Sequence, residues 1–285
     1  MLDNTLRLLA PAALLALTAC GSPPSGQPGQ PAVYVQSNTL DPSTIAPANF
    51  GCLGTHADPA PPSAATALAV HVKDFEMKTP VAGAVVDVFL SLDHVHANTP
   101  DGTSGPTDAN GLAMLMVPPG SYRVIFRTTA DPTTTLTTFE FNRVYNDPER
   151  YSVSVATKGT IEAVLSLVPD DSKGVVAGDT RDCTEKVVGG AVFATALASG
   201  PFDNAMNTFY FRDVSASSTV PVKSQKWTSG DGVFASLNVP PGDVTVTASG
   251  FLTDGAMFSR LGTGKIPVLA GAITVVQLEP LGPGM

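Results

Sequence analysis

The chain carries an internal repeat, and a unit that recurs must fold by the same rules twice. The block Pro80-Val-Ala-Gly-Ala-Val-Val86 returns as Val187-Val-Gly-Gly-Ala-Val-Phe193. The longer block Thr107-Asp-Ala-Asn-Gly-Leu-Ala-Met-Leu-Met-Val-Pro-Pro-Gly-Ser-Tyr-Arg-Val124 returns as Ser229-Gly-Asp-Gly-Val-Phe-Ala-Ser-Leu-Asn-Val-Pro-Pro-Gly-Asp-Val-Thr-Val246. Order and local spacing agree. The second copy holds an insertion of about 14 residues between its blocks.

Asn110-Gly111 and Asp231-Gly232 are turn pairs, because Asn, Asp and Gly tolerate positive φ at little cost. An alternating strand follows, with Leu112, Met114 and Met116 on one face, and Val233, Ala235 and Leu237 in the second copy. Pro118-Pro119-Gly120 and Pro240-Pro241-Gly242 stop the ladder and turn the chain. A second alternating strand returns through Tyr122, Val124 and Phe126, and through Val244, Val246 and Ala248. Each copy thus reads as an antiparallel hairpin with one buried face. Further strands are expected at Ala67–Val72, Ala84–Leu90, Thr134–Phe141, Ser152–Ala156 and Thr160–Leu167. In the second copy they fall at Gly174–Gly178, Ala191–Ala198, Thr208–Asp213, Val220–Trp227 and Ala272–Leu278. About seven strands in about 105 residues per copy predict an all-β protein of two tandem β-sandwiches.

The shared P-x-x-G-A-x-V opening, the D-x-x-G turn and a strand ending in P-P-G-x-Y resemble the carboxypeptidase regulatory-like family. Its fold is the prealbumin-like (transthyretin-like) seven-stranded sandwich. The resemblance covers residues 66–169 and 173–280. Val244 stands where the family usually has Tyr, as Tyr122 does in the first copy, and the usual opening glycine near Val70 is missing. Such modules usually accompany an enzyme or form surface arrays, so the resemblance implies no catalysis.

Residues 1–19 are expected to be removed as a signal. Leu6–Ala16 is an apolar run of signal-peptide length, too short to span a bilayer. Leu17-Thr-Ala-Cys20, followed by Gly21, resembles a bacterial lipobox, which implies cleavage before Cys20 and lipid on its thiol and new amino group. Two or more acyl chains anchor stably where one does not. Gly21 in place of Asp implies, by the same resemblance, the outer membrane. Residues 20–65 are then a tether with an irregular segment: Gly21–Pro31, rich in Pro and Gly, cannot build helix or sheet, Ala57–Ala65 is a second Pro-rich stretch, and Ala32–Gly54 between them is expected to pack irregularly on the domains. Export places the chain in an oxidising space, where Cys52 and Cys183 are expected to close a disulfide.

The chain offers few reactive motifs. With 16 Lys and Arg against 25 Asp and Glu, the net charge of −9 argues against nucleic acid. No serine elbow, P-loop or dinucleotide fingerprint is present. No cofactor is expected. His94 and His96 would share one face of a strand, a weak metal chelate without an evident third ligand. Asp108, Asn110 and Asp231 lack calcium-loop spacing and read as turn residues. Asp170-Asp171 reads as a solvated linker. Phe209, Tyr210, Phe211 and Trp227 surround the second copy's insertion; adjacent aromatics cannot all face one core. Phe209, Tyr210 and Trp227 are therefore the candidate sugar-stacking residues, against core packing as the plainer role. The sequence predicts a non-enzymatic, lipid-anchored envelope module that meets membrane through Cys20 and envelope proteins or glycans through its surface. A carbohydrate-binding module is the alternative.

Overall fold

The computed structural model describes residues 32–35, 46–212, 221–252 and 258–283. Cys20 and its leader lie outside the described residues. A short strand β1 (Tyr34–Val35) comes first. The first copy supplies β2 (Thr66–Asp74), β3 (Val85–Phe89), helix α1 (Leu92–Ala97), β4 (Gly102–Thr103), β5 (Leu112–Val117), β6 (Arg123–Thr129), β7 (Thr135–Leu136), β8 (Thr138–Val144) and β9 (Glu149–Ser154). Helix α2 (Val155–Val164) leads to β10 (Gly174–Thr180), β11 (Val188–Gly189) and β12 (Val192–Leu197). Then follow α3 (Asn204–Asn207), β13 (Thr208–Phe211), β14 (Pro221–Val222), β15 (Phe234–Val239), β16 (Gly242–Phe251), β17 (Phe258–Val268) and β18 (Ile273–Leu278).

Both copies distribute their strands alike. β2 pairs antiparallel with β5 and parallel with β9; β10 pairs antiparallel with β15 and parallel with β18. Facing them, β6 lies between β3 and β8, and β16 between β12 and β17. The first core is Leu68, Val70 and Val72 against Val86, Val88, Val124 and Phe126, closed by Leu115 and Val117. The second is Val176, Phe234 and Val239 with Phe193, Val244, Val246, Ala248 and Ile266. Each fully buried aliphatic or Phe side chain of this kind contributes about 1.5–3 kcal/mol. The protein is all-β, built from β-sandwich layers.

The two sandwiches share a sheet. β18 pairs parallel with β8, Ile273 opposite Thr138 through Val276 opposite Phe141. One layer of the second copy is thereby joined to the opposite layer of the first. The result is a nine-stranded sheet in the order β14-β13-β15-β10-β18-β8-β6-β3-β4. The second core runs on across this junction to Phe89, Ile125, Phe139 and Phe141 of the first copy.

The repeat is exact enough to reproduce single hydrogen bonds. Gly83 N donates to Thr107 O, Thr107 N to Ala84 O, and Ala84 N to Thr107 Oγ1. In the second copy Gly190 N donates to Thr228 O, Thr228 N to Ala191 O, and Ala191 N to Thr228 Oγ1. Gly83 and Gly190 have φ of 75° and 81°, a backbone region that Cβ disfavours.

Several sequence expectations are corrected. The strands on either side of each Pro-Pro-Gly do not form a hairpin. β5 and β15 lie in one layer, β6 and β16 in the facing one. Two successive residues without an N–H end the ladder, and Gly120 and Gly242 (φ 117° and 129°) turn the chain across the sandwich. β5 alternates as expected, but its buried side is Ala113, Leu115 and Val117, while Leu112, Met114 and Met116 are 44%, 60% and 55% exposed. The segment Thr160–Leu167, expected as a strand, belongs to α2 and the turn after it. Ser154 Oγ caps the helix by accepting from Thr157 N at 2.9 Å, and Ile161 and Leu165 turn one face to the sheet. The sequence expectations include no strand over β17, which contains Gly262, Gly264 and Pro267. The glycines allow close approach: a Cβ on Gly262 would lie 2.5 Å from Glu279 O. Pro267 is tolerated because β17 ends its sheet.

Candidate functional site

The described chemistry concentrates where the segment before β2 meets both sandwiches. Cys52 and Cys183 form a disulfide, with Cα atoms 5.9 Å apart and a sequence separation of 131. Around it, Cys183 N donates to Asn49 O, and Asn49 N donates to Asp182 Oδ2 at 2.9 Å. Asp182 also accepts from Thr184 and Lys186 N. Burial alone would raise its pKa, but these donors outweigh burial and hold the carboxyl below its ordinary value. Val33 packs in the second core, and β1 pairs with β11. The segment is thus pinned to the second copy by backbone, sulfur and carboxylate together.

Arg123, at the start of β6, reaches across the seam. Its Nε, Nη2 and Nη1 each lie 2.9 Å from a carboxylate, of Asp58, Glu185 and Glu279 respectively. Burial opposes its charge, but Glu279 first and then Asp58 and Glu185 hold its pKa above the ordinary value. Glu279 goes the other way from a simple ion pair: burial pushes its carboxyl up to about 7. The difference has a geometric cause. Glu279 shares one guanidinium with two other carboxylates, and its second oxygen has no hydrogen-bond partner. Beside it, Asn142 Nδ2 donates to Gln277 O at 2.7 Å and Arg143 Nη1 to Gln277 Oε1 at 3.1 Å, tying β8 to β18 side chain by side chain.

A cleft of about 280 Å³ opens at this seam, lined among others by Ser91, Arg123, Asn142, Lys265, Ile266 and Gln277. Arg123, Asn142 and Gln277 are engaged with protein partners, so the arrangement clamps the two copies rather than presenting a reactive pair.

The metal candidates fall elsewhere. His94 and His96 lie on α1, not on a strand; Ser91 caps this helix and Asn98 ends it in the left-handed conformation, φ 53°. Residues two apart on a helix do not share a face. His94 Nδ1 meets Asp101 Oδ2 at 2.8 Å, and His96 Nε2 meets Asp243 Oδ1 of β16 at 3.3 Å. The shared chelating face is therefore corrected to two separate carboxylate contacts. Among the described residues no group of three His, Cys, Asp or Glu is placed to hold a metal ion.

The aromatics also separate. Phe209 and Tyr210 on β13 are 7% and 6% exposed, so neither offers a ring face to a sugar. Phe209 and Phe211 pack with Ala235, Leu237 and Leu165 on the outer side of the long sheet. Tyr210 points into the second core, where its hydroxyl accepts from Phe193 N at 2.9 Å, and burial pushes its pKa up to about 12. β13 has buried layers on both sides, which is how adjacent aromatics can all be core residues. Trp227 alone of the three is half-buried. The Arg123 clamp has no local signature, because its carboxylates, Asp58, Glu185 and Glu279, come from three distant segments.

No protein-family profile matches the chain, and no curated protein matches it in sequence. Among solved structures, the chain is similar to the Bacillus anthracis TIE protein at 15% identity and a TM-score of 0.23, over 76% of this chain and 34% of that one. It thus spans about a third of that protein's length. The shaft pilin SpaA from Lactobacillus rhamnosus GG gives 12% identity and a TM-score of 0.24, over 76% and 97%. The minor pilin of Streptococcus agalactiae gives 9% and 0.20, over 75% and 96%. Similarity of that size decides neither fold nor function, and the all-β architecture rests on the strand pairing itself.

Proposed function

We propose that the chain is an exported, lipid-anchored and non-enzymatic module of the cell envelope, in which two carboxypeptidase regulatory-like units, 66–169 and 173–280, hold a binding surface away from a membrane. The observation that carries this reading is the Cys52–Cys183 bond, since such bonds persist in oxidising compartments. The bond also ties Cys52, within the segment 20–65, to the second sandwich, and the shared sheet ties that sandwich to the first. Load or position at Cys20 is then passed to the whole body rather than to a loose linker. Among the described residues no helix is long and apolar enough to cross a membrane, so the anchor in this reading is lipid on Cys20. Gly21 after the lipidated cysteine favours the outer membrane. Envelope proteins are the expected partners. The glycan alternative keeps Trp227 as its one half-exposed ring.

The test is metabolic labelling with palmitate and membrane fractionation of the full chain and of Cys20→Ala. Label and membrane residence are expected in the first, with both lost in the second. A Cys20→Ala chain that stays on the membrane overturns the anchor.

A further inference from the structure

The exposed side of β5 has a covered counterpart in the same molecule. The matching pairings, Ala69 opposite Met114 and Ala177 opposite Ala235, align the two outer faces residue by residue. Ala67, Ala69, Leu112, Met114 and Met116 of the first copy correspond to Val175, Ala177, Val233, Ala235 and Leu237 of the second. In the second copy this five-residue apolar face packs with Ile161, Leu165 and Leu167, from α2 and the turn after it. In the first copy nothing described lies on it, and all five residues are exposed.

We infer that the outer face of β2 and β5 is a docking site for an amphipathic helix of a partner protein, one that presents aliphatic side chains four residues apart as Ile161 and Leu165 do. Three observations select a helix. The chain itself covers the equivalent face with one. The bare strip is two strands wide, close to 10 Å, and a helix with its side chains is about 10 Å across. Beyond it lie Lys73 and Glu149, paired at 2.6 Å on the same face. A second copy laid sheet on sheet would have to bury that ion pair, whereas a helix along β5 leaves it in water. β5 carries no charge between Leu112 and Val117. Two flexible methionines stand where the second copy has Ala235 and Leu237, which lets the strip fit helices of differing shape.

The probe is a synthetic peptide of this chain's own Ser154–Val168, titrated into the full chain labelled with ¹³C at the methionine methyls. Saturable shifts are expected at Met114 and Met116 and not at Met77 or Met206, which are equally exposed elsewhere. A peptide carrying Ile161→Lys and Leu165→Lys should leave the methyls unmoved. Met114→Lys, at an exposed position, should keep the thermal midpoint and weaken binding about tenfold or more. Unmoved Met114 and Met116 methyls at saturating peptide overturn the proposal, as do equal shifts at Met77. Shifts that follow protein concentration without peptide overturn it in favour of a second copy. Lipid on Cys20 plays no part in this titration, so its outcome is separate from that of the anchor.

Discussion

The two copies begin and end alike and differ in where they send the middle of the unit. In the first, the segment after α1 runs along β3: Asp101 N donates to Val88 O, Ser104 N to Val86 O and Thr107 N to Ala84 O. In the second, β13 leaves that layer and pairs with β15 on the other side of the sandwich, Phe209 opposite Ala235. β5 therefore ends its sheet, while β15 is an interior strand. The insertion of the second copy brings Phe209 and Phe211 to the outer face of its sheet, and that face needs the cover that α2 supplies. One further residue distinguishes the strands. β15 carries a bulge, with Asn238 at φ 55°, where β5 runs straight. A repeat thus fixes the layers, and an insertion decides which layer gains strands and which face must be covered.

The largest effect should come from placing one charge on the two outer faces. Leu237→Lys puts an ammonium into a covered site, and its expected cost is about 4 kcal/mol or more, enough to prevent folding. The equivalent Met116→Lys should change stability by no more than about 0.5 kcal/mol, since Met116 already faces water. Denaturant melts of the two variants measure the contrast. Equal losses would mean that the first face is covered after all.

Next in size is the staple that only the second copy has. The loop closed by Cys52 and Cys183 spans 131 residues, and chain entropy for so long a loop gives about 5 kcal/mol at most, with about 2 kcal/mol as the lower expectation. In Cys52→Ser with Cys183→Ser, hydrogen exchange should quicken first at Val33, Asn49 and Cys183→Ser itself, while the β2–β5 ladder keeps its protection. Uniform loss of protection in both sandwiches would show that the shared sheet, not the disulfide, sets the local order.

These contrasts mark what the chain states locally. Strands with period-two apolar residues, such as β2 and β16, are legible because burial alternates along them. The face of β5 is not legible: Leu112, Met114 and Met116 are as apolar as Ala113, Leu115 and Val117, so alternation has no polar member to set its direction. Pro-Pro-Gly signals a stop but not whether the next strand returns in the same layer or crosses to the other. The segment 160–167 contains β-branched Thr160, Ile161 and Val164, and its propensity points to strand; the Ser154 cap and the apolar face awaiting cover override it. The Arg123 clamp needs Asp58, Glu185 and Glu279 to converge, which is a tertiary fact with no local trace. The disulfide is legible from the expectation that Cys20 carries lipid, which leaves Cys52 and Cys183 as one pairing.

The seam offers a test by pH. Glu279 has its folded pKa raised to about 7, above the usual 4.5, by burial. Between those values the folded protein binds more protons than the unfolded chain, so stability falls as pH rises. The contribution is fully present below about pH 4.5 and lost as pH passes about 7. Asp182, whose pKa is lowered, acts in the opposite sense but below pH 3.8. The difference between the protein and Glu279→Gln in urea melts should therefore slope downward from pH 4.5 to 7 and be flat above. A flat difference throughout would mean that the Arg123 pair keeps Glu279 ionised across the range. That would make the seam a plain salt bridge.

The smallest effect tests the symmetry itself. Thr107 Oγ1 accepts from Ala84 N at 2.9 Å and donates to Val81 O; Thr228 Oγ1 accepts from Ala191 N at 3.0 Å and donates to Val188 O. Thr→Val keeps the shape and deletes the oxygen, leaving a buried N–H without its side-chain acceptor. Each substitution should cost about 1–2 kcal/mol. Because the two sites share no partners, the double variant should show the sum of the two losses. Thermal or urea melts of Thr107→Val, Thr228→Val and the double variant read this directly. If Thr107→Val costs as expected and Thr228→Val costs nothing, the opening turn of the second copy is held by its insertion instead, and the likeness of the two latches is geometric without being energetic.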